Sequence, residues 1–283
     1  MNLSAILSLL GAIVLLAGAD ADAQLSHASD KPVVYGHHHI NVSNLEDQQR
    51  FWVDTLGGTT VPLGDLTVVK FTNVLVIIRE QEPTGGTRGT TVNHIGFTVP
   101  DLRALLDNVT AAGYSVVSKE EVPSTYEVRN GIAYNEVQDA YLAFVMAPDD
   151  IKIEFIEDPM QEMPVKLHHI HFATNDVVAM KAWYVNTFGA IPGMRGNFQA
   201  ADLPGVNLTY SSSDVPLAGT RGRGLDHIGF EIDGLEAFCR RLEDQGVIFD
   251  LPFTQIEDLG IGIAFLTDPF GTYIELTEGL DER

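Results

Sequence analysis

His37-His38-His39-Ile40 leads into Phe51-Trp52, and His168-His169-Ile170-His171 leads into Trp183-Tyr184. An offset of 132 residues carries His37 onto His169, Phe51-Trp52 onto Trp183-Tyr184 and Gly57 onto Gly189, so the chain is a tandem duplication. A duplicated histidine-bearing strand is a metal-site candidate in each half, and the partners a metal needs can be sought twice.

A finer repeat lies inside each half. Val92-Asn93-His94-Ile95-Gly96-Phe97 and Leu225-Asp226-His227-Ile228-Gly229-Phe230 resemble the first pair, so four strand starts carry histidine at one equivalent position. Each is followed by apolar residues at helical spacing, as in Leu102, Leu105, Leu106 and Val109, and then by a glycine (Gly57, Gly113, Gly189 or Gly246) where a helix C-cap belongs. Short apolar or alternating runs follow, such as Val74-Leu75-Val76-Ile77-Ile78 and Tyr141-Leu142-Ala143-Phe144-Val145, which read as strands. The unit is therefore β-α-β-β-β, four times over. Linkers at 82–91 and 211–224 each contain Gly-Thr-Arg-Gly just before a histidine strand, and Pro159 and Pro164 mark the division between the halves.

The 283 residues suffice for two cores, and the 45% hydrophobic content is that of a soluble protein. A formal charge of −22 argues against nucleic acid or an anionic membrane as partner and makes any anionic substrate dependent on local positive groups. Residues 1–23 read as a signal peptide: an apolar run from Ala5 to Ala19 precedes Ala21-Asp22-Ala23, an A-x-A cleavage site. No Lys or Arg precedes that run, and an uncleaved anchor is the competing reading. The expectation is a secreted or periplasmic protein with no stable membrane span in its mature form; oligomeric state is left open. Cys239 is the single cysteine, so no intrachain disulfide forms, and it reads as a small buried hydrophobe.

The pattern resembles the vicinal oxygen chelate superfamily of glyoxalases, extradiol dioxygenases and bleomycin-resistance proteins. Asp268-Pro269-Phe270-Gly271-Thr272-Tyr273-Ile274-Glu275-Leu276 is similar to that family's closing strand. The resemblance implies an α+β fold of four βαβββ modules paired into two tandem eight-stranded cup-like domains, at 33–158 and 166–279. It implies metal ligands at His37, His94 and Glu154 in the first domain and at His169, His227 and Glu275 in the second. Two imidazoles and a carboxylate suit Fe(II), which is favoured, or Mn(II) or Zn(II), and in octahedral coordination such a triad leaves three positions open.

Glyoxalase-like relatives use a fourth ligand, whose place here falls near Val76 and Thr209; neither is a good ligand. Extradiol relatives place a catalytic histidine and a tyrosine before the closing segment, and here Phe144 and Phe265 stand at the tyrosine position. Alternation along the strand puts His39 and His171 on the same face as the proposed ligands, as acid/base candidates or as second-shell or alternative ligands. Arg88 and Arg221, in the Gly-Thr-Arg-Gly loops, are candidates to orient a substrate carboxylate or oxyanion. The expected function is an exported metal-dependent dioxygenase acting on a small oxygenated compound. A glyoxalase-like lyase or isomerase and a non-catalytic binding or resistance protein are the alternatives.

Overall fold

The computed structural model describes residues 32–280; the signal-peptide segment 1–23 lies outside them. The first module comprises β1 (Val33–Val42), α1 (Leu45–Gln49) running into a π-helical turn (Arg50–Thr55), β2 (Thr59–Leu63), β3 (Leu66–Phe71) and β4 (Val74–Glu80). The second has β5 (Val92–Val99), α2 (Leu102–Ala111), the short β6 (Ser115–Val116), α3 (Ser118–Glu121) and β7 (Val128–Arg129), then β8 (Ile132–Asn135), β9 (Ala140–Ala147) and β10 (Ile151–Glu157). The third is β11 (Lys166–Thr174), α4 (Val177–Phe188), β12 (Ile191–Arg195), β13 (Phe198–Leu203) and β14 (Val206–Ser212). The fourth is β15 (Leu225–Ile232), α5 (Leu235–Asp244), β16 (Phe249–Ile256), β17 (Ile261–Thr267) and β18 (Tyr273–Glu278).

The four glycines read as caps take left-handed φ of 79, 91, 73 and 88° at Gly57, Gly113, Gly189 and Gly246, a region that costs other residues energy. Each module therefore turns where the sequence says it must.

The modules do not pair in sequence order. One sheet runs β16-β17-β18-β15-β1-β4-β3-β2 and joins the first module to the fourth. The other runs β12-β13-β14-β11-β5-β10-β9-β8-β7, with β6 beside β9, and joins the second to the third. This corrects the expectation of self-contained cups at 33–158 and 166–279: each sheet takes one module from either half. The physical reason lies in the linkers. The short segment 158–165 keeps β10 and β11 in one sheet, on either side of β5. The two longer linkers cross between sheets side by side, with Thr91 N–H donating to Ala218 O (3.1 Å) and Gly224 N–H to Gly85 O (2.8 Å).

An apolar core to which all four modules contribute lies behind both sheets; Phe51, Trp52, Phe97, Tyr184 and Phe230 are fully buried in it. At a β-turn between the sheets Asn73 Nδ2 donates to Leu167 O and to Gly205 O, both at 3.1 Å, and Asn73 Oδ1 accepts from Leu167 N–H (2.8 Å). Cys239 is buried, which bears out its reading as a small buried hydrophobe, and burial and Glu243 push its thiol up to about 12.

Candidate metal centres

The sheet pairing decides which histidines meet. β11 runs antiparallel to β5, with His169 opposite Gly96 and His171 opposite His94. β5 runs parallel to β10, with Gly96 opposite Glu154. Three side chains thereby converge: His94 Nε2 lies 3.1 Å and His169 Nε2 2.9 Å from Glu154 Oε2, and the two nitrogens are 3.2 Å apart. On the other sheet His37 Nε2 and His227 Nε2 lie 2.8 and 3.0 Å from Glu275 Oε2. All six predicted ligand positions fall in one centre or the other, but His37 and His169 exchange places relative to the expected sets. Strand alternation and family spacing give a ligand's position within its module; they carry nothing about which module it faces.

The His-x-Gly spacing has a steric cause. A Cβ on Gly96 would come within 1.8 Å of the His169 ring, and one on Gly229 within 2.0 Å of the His37 ring. Each glycine is the floor on which the neighbouring strand's imidazole lies.

The donor geometry fits a metal ion. Donors about 2.1 Å from an ion and on one octahedral face are separated by about 3.0 Å, close to the distances at the His94, His169 and Glu154 centre. Hydrogen bonds behind the imidazoles also suit ligation. Asn93 Oδ1 lies 2.8 Å from His94 Nδ1 and Asp226 Oδ1 2.6 Å from His227 Nδ1, acceptors that take the Nδ1 proton when Nε2 gives its lone pair to an ion. His168 and His169 share a hydrogen bond between their Nδ1 atoms (3.0 Å), whereas the buried His37 Nδ1 has no partner. His168 corresponds to Gly36 in the first module, so nothing there can play its part.

Electrostatics agree. Burial alone would raise the Glu154 carboxyl, but hydrogen bonds from His169 and His94 hold it well below the usual carboxylate range. Glu275 is held low in the same way, against burial, by His227 and His37. Burial, with Arg195 adding to it, keeps His169 well below the ordinary histidine range. Burial likewise lowers His94, in spite of Glu154.

His171 and His39 lie beside these centres as alternation requires. The His171 ring is 4.6 Å from that of His94, and a ligand atom of His171 lies within 4.8 Å of those of His94 and His169. His39 stacks on His227 at 4.5 Å. By strand register His171 stands opposite Thr209 and His39 opposite Ile77. The first module's counterpart of Thr209 is therefore Ile77, one residue beyond Val76.

Arg88 and Arg221 are not brought to the centres. Arg88 pairs with Glu121 (2.6 Å), and Arg221, 62% exposed, pairs with Asp250 (3.2 Å) and covers Tyr273. The repeated Gly-Thr-Arg-Gly has a structural use. Thr87 Oγ1 accepts from Lys152 N–H (3.0 Å) and Thr220 Oγ1 from Tyr273 N–H (2.9 Å), which pins the strands that carry Glu154 and Glu275. A Cβ on Gly86 or Gly219 would collide with backbone at 2.2 or 2.6 Å.

The cups differ in lining. A cavity of about 300 Å³ opens at the first centre, with His94, Glu154, His171, Lys152, Arg195 and Phe198 among its walls. Around the second centre, Leu63, Val68, Leu75 and Ile77 join Ile261 and Leu280 in a buried apolar cluster. The 132-residue offset carries those first four onto Arg195, Ala200, Asn207 and Thr209. Arg195 was missed by the sequence reading; the signal that could have found it is a charged residue where the repeat has leucine.

Residues 166–276 match the model of the glyoxalase/bleomycin resistance protein/dioxygenase superfamily. The match lies within the second half of the chain. Over most of the chain, solved structures share the fold. Glyoxalase I from Zea mays is 15% identical, with 88% of this chain and 94% of that chain covered and a TM-score of 0.66. A protein of Bacillus subtilis subsp. subtilis str. 168, described as a "putative dioxygenase", is 13% identical over 87% of this chain and 84% of that one, with a TM-score of 0.60. No curated protein matches the sequence. The superfamily includes metalloenzymes such as glyoxalase I, and the four modules here place His/Glu groups that could hold a divalent metal.

Proposed function

We propose that this protein is a metal-dependent dioxygenase acting on a small oxygenated compound at the His94, His169 and Glu154 centre. The observation that carries the reading is the triangle of donor atoms at 2.9, 3.1 and 3.2 Å beside an open polar cavity. A divalent ion held there, Fe(II) in preference to Mn(II) or Zn(II), would serve as a Lewis acid for vicinal oxygens and, as iron, supply the redox chemistry that dioxygen needs. The chain's own residues do the rest. Asn93 and His168 fix the two imidazoles, Phe198 packs edge-on against His171 at 5.1 Å, and His171 faces the cavity, where it can take a proton from a bound hydroxyl. Thr209 stands where a fourth protein ligand would come, and its hydroxyl donates to Asn207 Oδ1 (2.7 Å), which favours a three-ligand centre.

A lyase or isomerase reading rests on one observation: His171 is within reach of the same ion and would complete a four-ligand set. Export belongs to the proposal on the strength of residues 1–23, and the N-terminal sequence of mature protein tests it; Met1 retained on protein recovered outside the cytoplasm would defeat signal cleavage. Metal analysis combined with oxygen uptake on catechols tests the enzyme. One tightly held ion, lost in Glu154→Ala together with oxygen uptake, is expected. Less than a tenth of an equivalent of any divalent metal would refute the reading.

A further inference from the structure

We infer that the cavity at the His94 centre selects a negatively charged substrate, a small compound with a carboxylate next to its chelating oxygens, and that Arg195 is the residue that receives it. The inference rests on the metal-centre reading above and adds the substrate's charge.

Arg195 ends β12, and its side chain is 10% exposed. A guanidinium carries five N–H donors and is hardly ever buried without a matching anion. Here its contacts are sparse. Nη1 donates to Thr209 Oγ1 at a long 3.4 Å, Nη2 stands 3.5 Å from Glu154 Oε2, and the buried Nε has no partner. Glu154 Oε2 is already the oxygen that both imidazoles touch, so it cannot also serve as a forked partner for the arginine. The remaining donors belong to a group lining the cavity. A carboxylate is the acceptor whose two oxygens match a guanidinium edge.

The charges in the cavity agree. Lys152 and Arg195 supply two cations against two carboxylates, Glu121 and Glu154, so a divalent ion leaves the lining with two positive charges in excess. Lys152 is matched by Glu121 at 2.5 Å, which leaves Arg195 as the cation with donors to spare. In a chain of net charge −22 such a cup is a local reversal of sign, where a low-dielectric wall focuses the field on an incoming anion. The volume of about 300 Å³ admits a compound of modest size, at the lower end of ligand cavities. The other cup supplies an internal control: Leu63 occupies the place of Arg195, and Tyr273 stands two residues before Glu275 as Lys152 stands before Glu154.

The test is calorimetric binding of catechol and 2,3-dihydroxybenzoate to the mature protein, with zinc as a redox-inert ion and again without it. Wild type is expected to prefer the carboxylated probe by about tenfold or more, the range of a charge-assisted pair. Arg195→Met should bring the two affinities within about twofold, the ratio being read within the variant at its own measured zinc content. Arg195→Lys, which keeps the charge and loses the fork, should retain part of the preference and stands in if the methionine variant does not fold. Equal affinities in wild type, a preference that survives Arg195→Met, or no binding of the carboxylated probe at millimolar concentration would each overturn the inference. Failure of zinc to bind would instead remove the metal-centre reading, and the zinc-free titrations would still judge the arginine.

Discussion

The two cups share one ancestry, one backbone and one ligand set, and they differ in what surrounds it. Around His37, His227 and Glu275 the repeat places Leu63, Val68, Leu75 and Ile77; around His94, His169 and Glu154 it places Arg195, Ala200, Asn207 and Thr209. Equivalent positions thus serve core packing in one sheet and recognition in the other. The difference teaches that ligand residues alone do not identify a working centre; the wall opposite them decides what can approach.

The comparison breaks most directly at the carboxylates. Glu154→Ala is expected to lower oxygen uptake by about a hundredfold or more, as loss of a metal ligand does, while Glu275→Ala leaves most of it. Steady-state rates on one catechol, with metal content alongside, decide this; equal losses would mean that both cups work. The apolar wall makes the opposite prediction for stability. Ile77→Ala should cost about 2–4 kcal/mol in urea unfolding, against about 1 kcal/mol for Thr209→Ala, because a fully buried apolar side chain leaves a cavity and a hydroxyl leaves one weak bond. Similar costs would show that the two walls are equally packed. Asn93→Ala should weaken metal binding by about tenfold through loss of the bond that orients His94, and competition with a chelator reads it.

The gentlest test is pH. Burial holds His39 at about 3 and His168 at about 4, and His38, His94, His169 and His171 also lie below the ordinary value. The unfolded chain takes up these protons near pH 6.5, so it binds more protons than the folded chain below that point. Stability of the metal-free protein therefore falls as pH drops from about 6.5, at up to about 1.4 kcal/mol per pH unit for each such histidine. The depressed carboxyls of Glu154 and Glu275 continue the loss below about pH 4.3. His227 opposes the trend: hydrogen bonds to Asp226 and Glu275 overcome its burial and raise it, so its contribution is full in acid and fades as pH rises through its folded value. Thermal unfolding between pH 8 and 4 measures the balance, and a flat profile would show that the buried imidazoles do not govern it.

Much of this was legible from residues. Four histidine strands and four capping glycines are marked by spacing, because each is fixed by local geometry within a module, and the carboxylates of the closing strands are marked by the family resemblance. The pairing of modules was not, since four equivalent first strands offer equivalent edges and the choice rests on how linkers 82–91 and 211–224 cross. Arg88 and Arg221 drew attention through their repeated motif, yet the motif persists because Gly86, Gly219, Thr87 and Thr220 hold the turns behind the ligand strands. Arg195 carried no motif, and only the contrast with Leu63 exposes it.

The crossed pairing has a genetic consequence. Each centre takes ligands from both halves of the chain: His94 and Glu154 with His169, and His37 with His227 and Glu275. A half-length chain meeting a copy of itself would have to build two identical centres, because every mutation would appear in both. Joined end to end, the two centres are encoded by separate codons. One wall can turn polar and the other greasy without either change being forced on its twin.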